Sequence, residues 1–216
     1  SIAAYEAKGK TYLVMANEGD TREDDGDKAR VKDKASLSGA PSDLGQLNVS
    51  TTDSTSGTNL VTFGGRSFSI RDDNGNLVSD SGNQVDAEAI ARGIYDDGRS
   101  DDKGVEPEGV SLMELGGRTL AFIGLERTTK GAVAIYDITD PEQASFLDMI
   151  VTDGDVAPEG ITSYTMGGQH YLAIANEVSG TTSVYALTAA VPEPETYALV
   201  LAGLLAMGVA HRRRSA

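Results

Sequence analysis

Glu108 and Glu126 recur 51 positions downstream as Glu159 and Glu177, and each pair opens with Pro-Glu-Gly, in "EPEGV" at 106–110 and "APEGI" at 157–161. A fifth glutamate, Glu18 in "YLVMANEGD", matches Glu177 in "YLAIANEVSG" through the shared Tyr-Leu and Ala-Asn-Glu. Carboxylates gathered at one place repel one another, and a cation relieves that repulsion. Ca²⁺, which takes six to eight oxygen ligands, is one such cation. The same glutamates could instead close tight turns and pair with bases. Arg127 follows Glu126 directly, and Arg66, Arg99 and Lys103 are further partners. Residue type and spacing leave both readings open.

A second group stands just upstream, in "DDGRSDDKGVEPEG". Asp96, Asp97, Asp101, Asp102 and Glu106 are interleaved there with Arg99 and Lys103 and lead into Glu108. Asp101 and Asp102 add two carboxylates to a metal site, and Arg99, Lys103 and Arg127 could hold a phosphate or other anion beside it, as metal-assisted hydrolysis requires. A solvated loop accounts for the same composition. Other chemistries are excluded more firmly. The chain has no Cys, which removes thiol catalysis and sulfur-ligated zinc. Of its only histidines, His211 stands in the C-terminal tail and His170 starts a strand at the end opposite the glutamates, so neither a His-based triad nor a His-ligated zinc is expected. A formal net charge of −15 argues against nucleic acid, whose phosphates need Lys and Arg.

These side chains must be positioned by strands. After Pro107-Glu108-Gly109 come "VSLMEL", Gly116-Gly117, "RTLAFIGLE", "AVAIYDI" and "ASFLDMIV", four short β-prone runs bounded by turn residues. The second copy gives "ITSYTM", Gly167-Gly168, "HYLAIANE" and "SVYAL". Four antiparallel strands in about 50 residues, repeated in register, define the blade of a β-propeller. A damaged copy precedes them, with "KTYLVMANEGD" as its second strand and "RSFSIRDDNGNLVSDSG" as its third and fourth, turning at Asn74-Gly75. Between these two runs, residues 19–60 read as a long polar loop, in part without fixed structure. The expected fold is all-β, a propeller fragment of two and a half to three blades over residues 1–190 that forms the C-terminal part of a larger ring. Radial symmetry would then aim the paired glutamates at one mouth of the channel.

The tail, "VPEPETYALVLAGLLAMGVAHRRRSA" at 191–216, is different in kind. Its apolar run at 197–210, as a helix, would span about 21 Å, short of the roughly 30 Å hydrocarbon core. This segment resembles the PEP-CTERM sorting signal through Val191, Pro192, Glu193, Pro194 and Thr196, the short hydrophobic helix and Arg212, Arg213 and Arg214. The resemblance implies export in a Gram-negative bacterium, transient membrane insertion, and processing by an exosortase. The arginines fit retention on the cytoplasmic side.

The body has its own likeness. "YLVMANEGD", "FGGRSFSI", "GRSDDKGVEPEGV", "AFIGLER", "AIYDITDP", "APEGI" and "IANEVSGTTSVY", covering nearly all of residues 10–187, resemble the choice-of-anchor I family. Those are exported propeller proteins, similar to a mesenchymal cell-surface glycoprotein, that carry various C-terminal signals. The resemblance implies a module at the cell surface or in the extracellular matrix, with no settled activity. Two functions follow as expectations: a non-catalytic ligand- or matrix-binding module with an acidic, cation-binding mouth, or a Ca²⁺-dependent phosphoesterase akin to propeller phosphatases and phytases.

Overall fold

The structure is a computed structural model that describes residues 1–19, 26–63 and 65–189. It is built of antiparallel β-sheet laid down in chain order. Strands β1 (Ile2–Ala7) and β2 (Lys10–Asn17) form a hairpin, and the chain then leaves the sheet. It makes a separate two-stranded ladder from β3 (Lys28–Arg30) and β4 (Asn48–Ser50), and returns as β5 (Ser67–Asp72) and β6 (Leu77–Asp80). The first sheet has the order β1-β2-β5-β6. A two-turn helix, α1 (Gln84–Ala91), leads to the second sheet, an unbroken meander of β7 (Pro107–Leu115), β8 (Arg118–Leu125), β9 (Gly131–Asp137) and β10 (Ser145–Thr152). The third sheet is β11 (Pro158–Met166), β12 (Gln169–Asn176) and β13 (Thr181–Leu187). None of these sheets closes into a barrel.

The second sheet is the middle layer, and its sequence says why. Side chains alternate between the faces of a strand. In β8, Ala121, Ile123 and Leu125 point into one core with Tyr12, Val14, Phe68 and Ile70 of the first sheet. Leu120 and Phe122 point into the other, with Leu172 and Ile174 of the third. The continuous apolar run "LAFIGL" is therefore buried on both faces, where an outer strand would alternate with polar residues. Tyr136 anchors the first core, with its ring centroid 4.5 Å from that of Phe68 and 5.4 Å from that of Phe146, both edge-on. Helix α1 contributes Val85 and Ala89 to the same core.

Glycines matter at two kinds of place. Gly116-Gly117 and Gly167-Gly168 all have positive φ, as a two-residue hairpin turn of the right twist demands. Gly75 likewise has φ 82° in the β5–β6 turn. Gly124 has a different reason: a Cβ there would meet Ile161 Cδ1 at 2.6 Å and Pro158 O at 2.9 Å. The second and third sheets approach each other through that gap.

Two expectations need amendment. In its described part the polar stretch at 19–60 is ordered: Val31, Leu37 and Val49 are buried together in a small core of their own, closed by short 3₁₀ turns and the β3–β4 ladder. Strand β1 and helix α1 also stand where no element was expected. The tail at 191–216, with its predicted hydrophobic helix at 197–210, lies outside the described residues. Among the described residues no helix is long and apolar enough to cross a membrane.

Candidate functional site

The repeated Pro-Glu-Gly is a backbone device before it is a chemical one. The residue ahead of each proline is left-handed, Glu106 with φ 50° and Ala157 with φ 62°. This conformation is uncommon outside glycine. It turns the Glu106 carbonyl toward Glu126, whose N–H donates to it at 3.0 Å, and Arg127 N–H donates to Val105 O at 3.0 Å. In the second copy Glu177 N–H donates to Ala157 O at 2.8 Å. The ladder then slips by a residue, between Pro107 and Val110 in one copy and between Pro158 and Gly160 in the other. Each Pro-Glu-Gly is thus a bulged strand start, tied by its own backbone to the glutamate that ends the next strand. That is how two glutamates eighteen positions apart reach one end of a sheet.

In the first copy the side chains form a charged knot. Glu106 is only 1 % exposed. Its Oε1 accepts from Arg99 Nη2 at 2.6 Å and Nε at 3.1 Å, and its Oε2 faces Arg127 Nε at 3.6 Å. Arg127 Nη2 also reaches Glu126 Oε1 at 2.5 Å. Glu18, at the end of β2, joins them, so that carboxylate oxygens of Glu18, Glu106 and Glu126 all lie within 4.8 Å of one another. Burial pushes the Glu126 carboxyl up to about 7, and a hydrogen bond with Glu108 and the charges of Glu108 and Glu106 add to this, while Arg127 opposes it. Two guanidinium groups therefore leave the crowding of these carboxylates only partly relieved.

The second copy has the same backbone and different chemistry. Ala157 stands where the first copy has Glu106, and Val178 follows Glu177 where Arg127 follows Glu126. Glu108, Glu159 and Glu177 line one open groove of about 690 Å³, together with Ser1, Asn176 and Thr181. No Lys or Arg side chain is among its lining residues.

The remaining candidates are placed elsewhere. Asp101 pairs with Arg30 at 2.7 Å and its carbonyl accepts from Asn48 N–H at 2.9 Å, while Asp102 accepts from the Asn48 side chain. Both aspartates are thus turned to the β3–β4 unit and brace it, apart from the carboxylates of the knot. Lys103 N–H donates to Arg99 O at 2.9 Å, closing the turn that aims Arg99 at Glu106. Arg99 and Arg127, the expected anion contacts, are engaged by Glu106. His170 shares a hydrogen bond with Thr165 at the far end of the third sheet. Glu106 was visible in the sequence only as part of an acidic loop. The signal that singles it out is the disagreement between the copies, a carboxylate where the sister has alanine.

Fold and site together define a class: an all-β protein of successive antiparallel meanders whose strand ends on one side carry glutamates. The sequence model of the choice-of-anchor I domain matches residues 1–141, well over half the chain, and the chain belongs to the choice-of-anchor I family. Residues 190–214 match the PEP-CTERM protein-sorting motif, a signal associated with exosortase processing. Together they mark an exported protein sorted to the cell surface. The second Pro-Glu-Gly copy lies beyond the matched domain residues. Comparison with curated proteins and with solved structures finds no match.

Proposed function

We propose that this chain is a non-catalytic surface module of β-propeller type, delivered to the envelope or extracellular matrix of a Gram-negative cell and processed there by an exosortase. In this reading it binds its ligand with the help of a divalent cation, Ca²⁺, held at the acidic ends of its sheets. The observation that carries the reading is the convergence of glutamates from three separate strand ends, those after β2, before β7 and after β8, onto one cluster. The propeller geometry is supported by meanders of four, four and three strands whose leading strands β1, β7 and β11 stand side by side. Radially arranged blades bring equivalent strand ends to one mouth. The hydrolytic alternative draws no support from the arginines, because Arg99 and Arg127 are occupied by Glu106 and Glu126.

The test is a melting curve and an assay on one preparation. The protein is stripped with chelator and returned to Ca²⁺. Bound cation stabilises by mass action, about 2.7 kcal/mol at a hundredfold excess over Kd, so Tm should rise with Ca²⁺ and fall again with chelator. A generic phosphomonoester should be turned over no faster than in buffer. Ca²⁺-dependent turnover would replace this reading with the phosphoesterase one, and a Tm indifferent to Ca²⁺ would remove the cation from it.

A further inference from the structure

The three large sheets meet through one repeated contact. Ile2 pairs with Met15 across the first hairpin, Val110 with Ile123 and Ile161 with Ile174, so Ile2, Val110 and Ile161 hold one position in successive leading strands. The residue after each partner is small: Ala16, Gly124 and Ala175. Between the second and third sheets Ile161 is the knob and Gly124 the hole, since a Cβ on Gly124 would meet Ile161 Cδ1 at 2.6 Å. Gly109 of β7 widens that hole, with Ile161 Cγ1 3.0 Å from where its Cβ would stand. Between the first and second sheets Val110 is buried in one core, with Ala16 packed against it. Two members of the series are left over. Ala3, Tyr5 and Ala7 of β1 face the first core, so Ile2 faces away from it and is 59 % exposed. In the third sheet Leu172 and Ile174 face the second core, so Ala173 and Ala175 face away. With Gly160, the counterpart of Gly109, and with Thr162 and Thr182, they line an open apolar groove of about 370 Å³.

We propose that two copies of this chain associate head to tail, Ile2 of each seating in the groove between Gly160 and Ala175 of the other, so that their sheets close one ring. The proposal rests on the propeller-type arrangement of the sheets and is independent of the cation. A knob and a matching hole on different faces of one molecule cannot satisfy each other, and they fit a second copy by a heterologous contact, which closes into a ring when the rotation allows. Three large sheets from each copy make six, within the four to eight blades at which propellers close. The new junction would continue the two already present, with the same positions in contact. The composition of the groove face agrees with burial. Strands β12 and β13 contain no Asp, Glu, Lys or Arg, and neither does β11 after Glu159, in a chain that is 24 % charged. Depletion of charge marks the core of a protein interface. Net charge opposes the pairing, because each copy carries a formal −15. Salt screens that repulsion and leaves apolar burial intact, so association strengthens with ionic strength.

Sedimentation velocity of the full-length protein, at low and at high salt, tests this. A dimer is expected, tighter at high salt. Ile2 and Ala175 are exposed, so Ile2→Asp and Ala175→Arg should fold normally, as circular dichroism melts establish. Each should raise the dissociation constant about tenfold or more, the worth of burying one aliphatic side chain. Glu142→Gln, a surface change elsewhere, should sediment as the unmodified protein does. The chain has no Cys, so the contact can also be trapped. Ile161 Cγ1 lies 3.5 Å from where a Gly124 Cβ would stand, and cysteines at the equivalent positions are within disulfide reach. On oxidation a mixture of Ile2→Cys and Ala175→Cys chains should give the mixed disulfide, and neither variant alone should cross-link to itself. A monomer at both salts would overturn the proposal. So would a dimer indifferent to both substitutions, which would place the association elsewhere, the apolar run at 197–210 included. Self-cross-linking of either variant alone would show a symmetric contact instead, and species growing beyond two copies would refute the closed ring. A monomer whose Tm still rises with Ca²⁺ would sink the pairing and leave the cation reading standing.

Discussion

At the scale of single residues the first glutamate knot is an electrostatic compromise with a readable pH dependence. Glu126 has an ordinary value near 4.5 and is held at about 7 in the fold, so the folded state binds its proton more tightly than the unfolded chain does. The stability this group contributes is therefore complete below about pH 4.5 and is lost as pH rises through 7. In metal-free buffer, the difference in Tm between the unmodified protein and Glu126→Gln should shift in favour of the variant across that window. A difference that stays flat would show that Glu126 is ionised throughout. Glu106 carries a separate prediction. Glu106→Ala leaves Arg99 and Arg127 facing a gap, and loss of one partner from a fully buried ion pair costs about 3–5 kcal/mol. The actual value should be smaller, since both arginines keep about a third of their surface in water (34 % and 33 % exposed). Urea denaturation at pH 7 measures it, and a variant as stable as the parent would mean that the guanidiniums find water or Glu126 instead.

At the scale of elements, what could be read from sequence was what repeats or alternates. The offset that carries Pro107 to Pro158 placed β7, β8, β11 and β12, and the shared Tyr-Leu placed β2. The left-handed residue before each proline could not be read, because glutamate and alanine carry no mark of positive φ. Strand β1 escaped because "IAAYEA" is rich in alanine, a weak strand former whose place here is set by pairing with β2. The β3–β4 unit escaped because its core is only three side chains, dispersed among polar residues. Layer contacts were equally hidden, and Gly124 is where they can be tested. Gly124→Ala forces a methyl against Ile161 and the Pro158 carbonyl. Such overpacking should cost about 2 kcal/mol, read as a lowered urea midpoint with an unchanged slope. An undisturbed midpoint would mean that the two sheets can move apart freely.

At the scale of the whole molecule, two segments of the chain have separate jobs. The body is acidic, with 15 Lys+Arg against 31 Asp+Glu in residues 1–190, while Arg212, Arg213 and Arg214 crowd the other end. The tail was legible outright, because a sorting signal is read by its residues in order and needs no fold. The candidate site was legible only in part, since which glutamates face arginine and which face a bare groove depends on how the sheets stack. If an exosortase acts on this chain, intact-mass measurement of material recovered from the cell surface should find it ending near Pro192-Glu193-Pro194. Recovery of chains still carrying "HRRRSA" from cells with an active exosortase would count against that processing.

The left-handed position ahead of each proline has a further consequence, for how such repeats diverge. Its backbone is the same whether the side chain is Glu106 or Ala157, so this position and the residue after the strand-closing glutamate can be exchanged without refolding the sheet. Exchange at these two positions changes how the charges of a junction are paired while leaving the strand start as it is. A duplicated unit could in this way keep its architecture while each copy drifts to its own ionic role.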